Sequence, residues 1–197
     1  RQLSAVGNLE TFTRFLGLCA GRAGQLLNTS SLGADAGVDH ATVRRWLSFL
    51  QAGYVVELLR PHFVNYSKRL VKTPKLYFQD TGVLCHLLGI REPSDLQTHP
   101  LRGAIFENFV VNELRKVYIH HGQRPPLYFW RESGGREVDV LIDLGAQRLP
   151  IEIKAGLTVA ADAFRELDRF AKLSDGPQGM LVYGGDEAYD RQGHLGR

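Results

Sequence analysis

Glu137-Val-Asp-Val-Leu-Ile-Asp143 and, after a break at Gly145, Leu149-Pro-Ile-Glu-Ile-Lys154 decide the fold of this chain. Both runs alternate as strands do. In the first, Glu137, Asp139, Leu141 and Asp143 fall on one face and Val138, Val140 and Ile142 on the other. In the second, Leu149, Ile151 and Ile153 share a face. Glu152 and Lys154 share the opposite one, ~6.7 Å apart along the strand. Paired as a hairpin, the runs bring Asp139 and Glu152 together. Carboxylates so close repel unless a proton or a cation intervenes. Hard oxygen ligands suit Mg²⁺ or Mn²⁺. Such an ion would lower the pKa of a bound water and clamp a phosphate oxygen, with Lys154 orienting the water or neutralising charge on the phosphorus. The competing reading is an ordinary solvated hairpin face with a Glu–Lys surface pair.

Outward from the hairpin, 102–120 has a helical stripe at Phe106, Phe109, Val110, Val111, Leu114 and Val117. Glu107 lies beside that stripe with no Lys or Arg at helical ion-pair spacing, which makes it a candidate third carboxylate. Its bland role would be to favour the helix dipole from the first turns. Leu127–Arg131 reads as a strand, 160–173 as an amphipathic helix and Met180–Tyr183 as a strand. The order is α-β-β-β-α-β.

Upstream, residues 9–26 give a helix with Phe12, Phe15, Leu16, Cys19 and Leu26 near one face. Gly33 and Gly37 precede a helix that Asp39 can cap, with Val43, Trp46, Leu47 and Leu50 inward and His40, Arg44, Ser48 and Gln51 outward. This spacing resembles a helix-turn-helix. Two strand-like runs follow, Tyr54–Leu59 and Leu76–Phe78. The segment between them carries Arg60, Lys68, Arg69, Lys72 and Lys75, interleaved with Phe63 and Tyr66, as a wing would. DNA is the expected partner, with phosphate contact by the wing and groove contact by Arg44 and Arg45. The alternative is a winged helix that packs on another protein module.

Composition narrows the field. The 197 residues are 44% hydrophobic and 23% charged, enough apolar material for a core, which excludes wholesale disorder. No apolar run approaches the ~18 residues of a membrane span, and no signal-peptide pattern opens the chain, so the expected compartment is the cytoplasm. Cys19 and Cys85 are expected to be buried free thiols rather than a disulfide or a zinc site. The net charge of +3 is uneven: residues 1–100 hold 11 Lys/Arg against 7 Asp/Glu, and residues 101–197 hold 13 against 14. The first half therefore suits a polyanion better. The chain opens on Arg1 and its only methionine is Met180, so a fragment of a longer protein is expected. The polar loop 91–100, closed by prolines, places the boundary between domains 1–95 and 96–197.

At these residues the chain resembles a known family. Residues 101–183 are similar to the PD-(D/E)XK nuclease superfamily core, with Glu107, Asp139 and Glu152-Ile-Lys154 in the motif positions. The segment order is similar to the C-terminal region of prokaryotic AAA+-type ATPases, where a P-loop module precedes a winged helix and a restriction-endonuclease-like domain. Leu76-Tyr-Phe-Gln-Asp-Thr-Gly-Val-Leu, Gly103-Ala-Ile-Phe-Glu-Asn-Phe-Val, Phe129-Trp-Arg, Arg136-Glu-Val-Asp and Ile151-Glu-Ile-Lys carry the match. The resemblance implies an α+β or α/β architecture, a winged helix-turn-helix followed by a restriction-endonuclease-like core. It further implies a Mg²⁺- or Mn²⁺-dependent endonuclease-type site on DNA made of Glu107, Asp139, Glu152 and Lys154, with the three acids as metal ligands. It also implies an upstream P-loop ATPase partner module, although no G-x-x-x-x-G-K-[ST] occurs in this chain. The alternative is a non-catalytic DNA- or protein-binding regulatory module that keeps the nuclease fold as scaffold.

Overall fold

A computed structural model of the chain describes residues 8–62, 71–160, 162–191 and 194–196. The fold is mixed α/β and divides into two units, residues 1–58 with 73–108 and residues 59–72 with 109–197.

The first unit holds α1 (Leu9–Ala20), α2 (Thr29–Ala36) and α3 (His40–Ala52), each opened by a side-chain cap. Asn8, Asn28 and Asp39 accept from the N–H groups of Thr11, Ser31 and Thr42. α1 is shorter than the 9–26 periodicity predicts. The chain turns at Gly24 (φ 74°), and residues 25–27 run beside β2 (Lys75–Phe78) instead. There Leu76 N–H donates to Gln25 O (3.1 Å) and Leu27 N–H to Pro74 O (2.8 Å). Gly37 ends α2 in the left-handed region at φ 74°. In α3 the stripe Val43, Trp46, Leu47 and Leu50 is buried, while His40, Arg44, Arg45, Ser48 and Gln51 are exposed. Trp46 anchors this core, edge-on to Phe12 (5.3 Å) and Phe15 (5.1 Å).

β1 (Val56–Leu59) pairs with β2. It begins two residues after the expected Tyr54, which sits at φ 55° and is 80% exposed at the turn out of α3. Lys68, Arg69, Phe63 and Tyr66 lie outside the described residues; Lys72 is described and exposed. Lys75, expected as a wing cation, is 2% exposed. α4 (Thr81–Leu87) follows, capped by Asp80. The expected polar loop at 91–100 contains a short helix, α5 (Pro93–Thr98), with Pro93 in its first turn and Asp95 accepting from the Arg91 and Glu92 N–H groups. The division between units does not fall in this loop. The segment after β1 hydrogen-bonds to β3 (Leu127–Arg131), and the first turns of α6 (Arg102–Ile119) are clamped to β2 by Asn108. Fully buried, Asn108 accepts from Phe78 N–H (2.7 Å) and donates to Phe78 O (3.0 Å).

The second unit is a six-stranded sheet of β3, β4 (Glu137–Asp143), β5 (Arg148–Lys154), β6 (Met180–Tyr183), β7 (Tyr189–Arg191) and β8 (His194–Gly196), in the order β3-β4-β5-β6-β8-β7. β3, β4 and β5 are antiparallel; β6 joins β5 in parallel after α7 (Arg165–Ser174). α7 begins at Arg165, later than the expected 160, and buries Leu167 and Phe170 on Trp130, Val138, Leu141 and Leu181. Residues 60–62 lie along β3, with Phe129 N–H donating to Arg60 O (3.1 Å) and His62 N–H to Phe129 O (2.7 Å).

Gly33 marks the closest approach of α2 to the turn and helix that follow it. A Cβ there would stand 2.9 Å from Val38 O and 3.1 Å from Val43 Cγ2. Gly33→Ala should therefore cost about 1–3 kcal/mol, because backbone must shift to admit the methyl group. Urea unfolding of the two chains measures the difference, and an unchanged midpoint would show that the contact yields freely.

Candidate functional site beside Asp139, Glu152 and Lys154

The perfect alternation of β4 is broken in the fold. Tyr128 faces Leu141 and Trp130 faces Val138, so Asp139 and Val140 both stand opposite Phe129. This is a β-bulge, a device that re-aims a side chain. As a result Val138 and Leu141 both pack in the core under α7, although strict alternation assigns them to opposite faces. Asp139 uses the irregularity. Its Oδ2 accepts the Ile153 N–H at 2.9 Å, where the regular β4–β5 ladder has stopped at Val140–Ile151. The acid is thereby pinned to the backbone inside the Glu152-Ile153-Lys154 triplet.

Glu152 registers with Leu181, which belongs to the core under α7. Only 7% exposed, it meets Lys154 Nζ through Oε1 at 2.5 Å. The Lys154 side chain is 48% exposed. The pair borders a cavity of about 280 Å³ whose other walls include Thr158, Asp162, Arg165 and Glu166. Glu166, in the first turn of α7, was not singled out in the sequence, where it reads as the polar side of an amphipathic helix. Its Oε2 is buried without a hydrogen-bond partner, and Arg165 Nε stands 3.5 Å from its Oε1.

Glu107 belongs to the first unit, and there its carboxylate is engaged. Oε1 accepts from Lys75 Nζ at 2.9 Å and from Tyr77 OH at 2.5 Å. The helix supplies no cation at ion-pair spacing, but β2 does, which sequence spacing along α6 could not reveal. Among the described residues, no group of three or more His, Cys, Asp or Glu side chains is arranged to hold a metal ion. Arg44, Arg45 and Lys72 are exposed; Lys68 and Arg69 are outside the described residues.

A second polar cluster had no sequence signal, since its members are 81 positions apart. His62, 8% exposed, meets Asp143 Oδ2 through Nε2 at 3.0 Å, with its ring edge-on to Tyr128. Gly145 N–H also donates to Asp143, and Arg148 stands 3.9 Å away. The hydrogen bond from His62 holds the Asp143 carboxyl below its ordinary pKa, against the opposing effect of partial burial. Both cysteines are free. Burial pushes the Cys19 thiol up to about 12, so it is inert at neutral pH, while Cys85 is only partly buried, contrary to the expectation for it.

Residues 102–196 match the Domain of unknown function (DUF4143), which is found in the C-terminal region of AAA-ATPase-associated proteins. Residues 1–94 match a second Domain of unknown function (DUF8612). Among curated proteins, Uncharacterized protein Rv2008c of Mycobacterium tuberculosis and Uncharacterized protein Mb2031c of Mycobacterium bovis are each 37% identical over 131 residues, 66% of this chain and 29% of the relative. The chain thus spans under a third of the length of the curated relatives it matches. No solved structure matches. Among the described residues, no helix is long and apolar enough to cross a membrane.

The His62–Asp143 bond carries a pH signature. A carboxyl whose folded pKa is lowered contributes stability that is complete above its unfolded value, about 3.9, and is lost as pH falls through the lowered one. Asp143→Asn should therefore melt earlier than the parent at neutral pH and approach it at acid pH below the ordinary carboxylate range. Thermal melts at both pH values check this, and an equal penalty at each would show that the charge contributes nothing.

Proposed function

We propose that this chain is the C-terminal module of a prokaryotic AAA+-type ATPase and that its second unit carries a metal-dependent, endonuclease-like site acting on DNA phosphodiesters. The observation that carries the reading is the Asp139–Ile153 hydrogen bond, which pins Asp139 to the backbone between Glu152 and Lys154, two residues that border a cavity. The donor set fits a hard divalent cation. Asp139 and Glu152 offer oxygen ligands only, and Glu152 is a buried carboxylate paired with a lysine whose side chain is half exposed. Mg²⁺ or Mn²⁺ held by these two acids would supply charge neutralisation and an acidified water. Lys154 then stands where it can donate to a phosphate oxygen as charge develops there. Glu107, committed to Lys75 and Tyr77, is left out of the set.

The first unit supports a winged-helix reading, with residues 25–27, β1 and β2 forming the small sheet around α1, α2 and α3. The exposed face of α3 presents Arg44 and Arg45, and the segment with Lys68, Arg69 and Lys72 supplies further cations for DNA phosphates. The remaining length of the relatives leaves room for an upstream P-loop module, and two unbridged cysteines suit the cytoplasm. A second reading, a non-catalytic binding module on the same scaffold, is favoured by one observation: Glu107 and Glu152 each already hold a lysine.

Calorimetric titration with Mn²⁺ and plasmid nicking decide between them. The chain should bind Mn²⁺ and nick DNA. Asp139→Asn should abolish both, and Lys154→Ala should keep the ion while losing cleavage by about 10²-fold or more. A chain that binds no Mn²⁺ and whose metal-free melting temperature ignores Asp139→Asn supports the second reading.

A further inference from the structure

Arg165 and Glu166, which line the cavity beside Glu152, also line a larger cleft of about 660 Å³, whose remaining walls are Gly134, Gly135, Arg136, Glu137 and Arg169. Arg165 and Arg169 are four apart on α7 and so share a face. Arg136 faces the same cleft from the tight turn between β3 and β4, which Gly135 N–H closes onto Glu132 O at 3.0 Å.

These arginines are underused. Arg136 and Arg169 approach the same atom, Glu132 Oε2, at 3.6 and 3.9 Å. Arg165 stands 3.7 Å from Asp162 and 3.5 Å from Glu166. Charge-assisted N–H···O bonds run at about 2.7–2.9 Å, so none of these pairs is one. Glu132 is thus shared loosely by two guanidinium groups, while of the two acids that line the cleft Glu137 is held by Arg131 at 2.5 Å and Glu166 stands 3.5 Å from Arg165. Arg169 Nε is buried with no hydrogen-bond partner. The side chains remain accessible, at 49% for Arg136, 70% for Arg165 and 38% for Arg169. Gly134 offers no side chain to fend off a ligand, since a Cβ there would meet nothing within 4 Å.

We infer that Arg136, Arg165 and Arg169 form a grip for the phosphodiester backbone of a nucleic-acid strand, which leads from this cleft into the cavity of Glu152 and Lys154. Guanidinium forks match phosphate oxygens two at a time, and the glycine turn lets the backbone come close. The choice of a nucleic-acid strand as ligand rests on the reading of the Asp139–Glu152–Lys154 site. The grip itself needs no metal.

The test is fluorescence anisotropy of labelled single-stranded DNA and RNA oligonucleotides with the 197-residue chain in EDTA, where cation-dependent cleavage cannot run. Arg136→Ala/Arg169→Ala should weaken binding by about tenfold or more and lower the slope of log K against log salt by about 0.7 per lost contact, about 1.4 in all. Lys116→Ala/Arg124→Ala, which removes equal charge from exposed positions outside the cleft, should not. If the double variant melts early, Arg165→Ala alone carries the test, with a slope loss of about 0.7. DNA and RNA should behave alike, and inorganic phosphate at high concentration should compete. Unchanged affinity and slope in the arginine variants, or an equal loss in the Lys116/Arg124 control, overturns the inference. A chain that grips DNA through these arginines but never cleaves sinks the nuclease reading and leaves the grip standing; one that cleaves yet binds equally well without them does the reverse.

Discussion

A side chain does the work of a backbone acceptor at the centre of the second unit. Asp139 Oδ2 takes the Ile153 amide just where the β4–β5 ladder runs out, and the bulge at Asp139 and Val140 makes the reach possible. Much follows from that substitution. The shift in register returns Leu141 to the face of Val138, so both pack under α7 with Trp130 and Leu167. An unbulged β4 would point Leu141 away from that core. The amide of Ile153 would need another acceptor, at a cost comparable to a lost hydrogen bond in a partly buried setting. Packing of the helix and placement of the acid are thus one constraint.

The two Lys–Glu pairs show how identical chemistry can serve opposite ends. Lys75 and Glu107 are 3% and 17% exposed, and Tyr77 adds a second donor. Removing either partner would strand a buried charge, which typically costs about 3–5 kcal/mol. Such a pair is closed. Glu152 is more deeply buried, at 9%, but its lysine is 48% exposed beside a cavity. The lysine can exchange its carboxylate for water or for an anion without being stranded. Burial of the acid with exposure of the base distinguishes a carboxylate able to change partners from one that fixes β2 to α6.

The stripe of α3 was legible because four apolar residues at helical spacing admit one inward face, and burial at Val43, Trp46, Leu47 and Leu50 follows it. The strands at β4 and β5 were legible for the matching reason, a period of two. The bulge was not, since Glu137–Asp143 alternates without a flaw and only the cross-strand register with Tyr128 and Trp130 exposes the extra residue. Lys75 looked like a wing cation because the polar loop before it hides that β2 is buried at every position. β7 and β8 are three residues each, below what periodicity can register. His62 and Asp143 meet only through the sheet, so no local pattern could announce them.

Net charge over a half-chain also hides what the fold does with it. Residues 101–197 total 13 basic and 14 acidic side chains, which reads as a surface indifferent to polyanions. Placement changes the balance locally. Glu137 is held by Arg131 and Glu152 by Lys154, each at 2.5 Å. Glu132 is divided between Arg136 and Arg169 at distances too long for a strong bond. In a cleft walled by protein, field lines between charges pass through a medium less polarisable than water, so loosely paired charges are felt more strongly than on an open face. The electrostatic character of the second unit is therefore set by which carboxylates are shared and which are not, a property of the β3–β4 turn and of α7 rather than of the composition that supplied them.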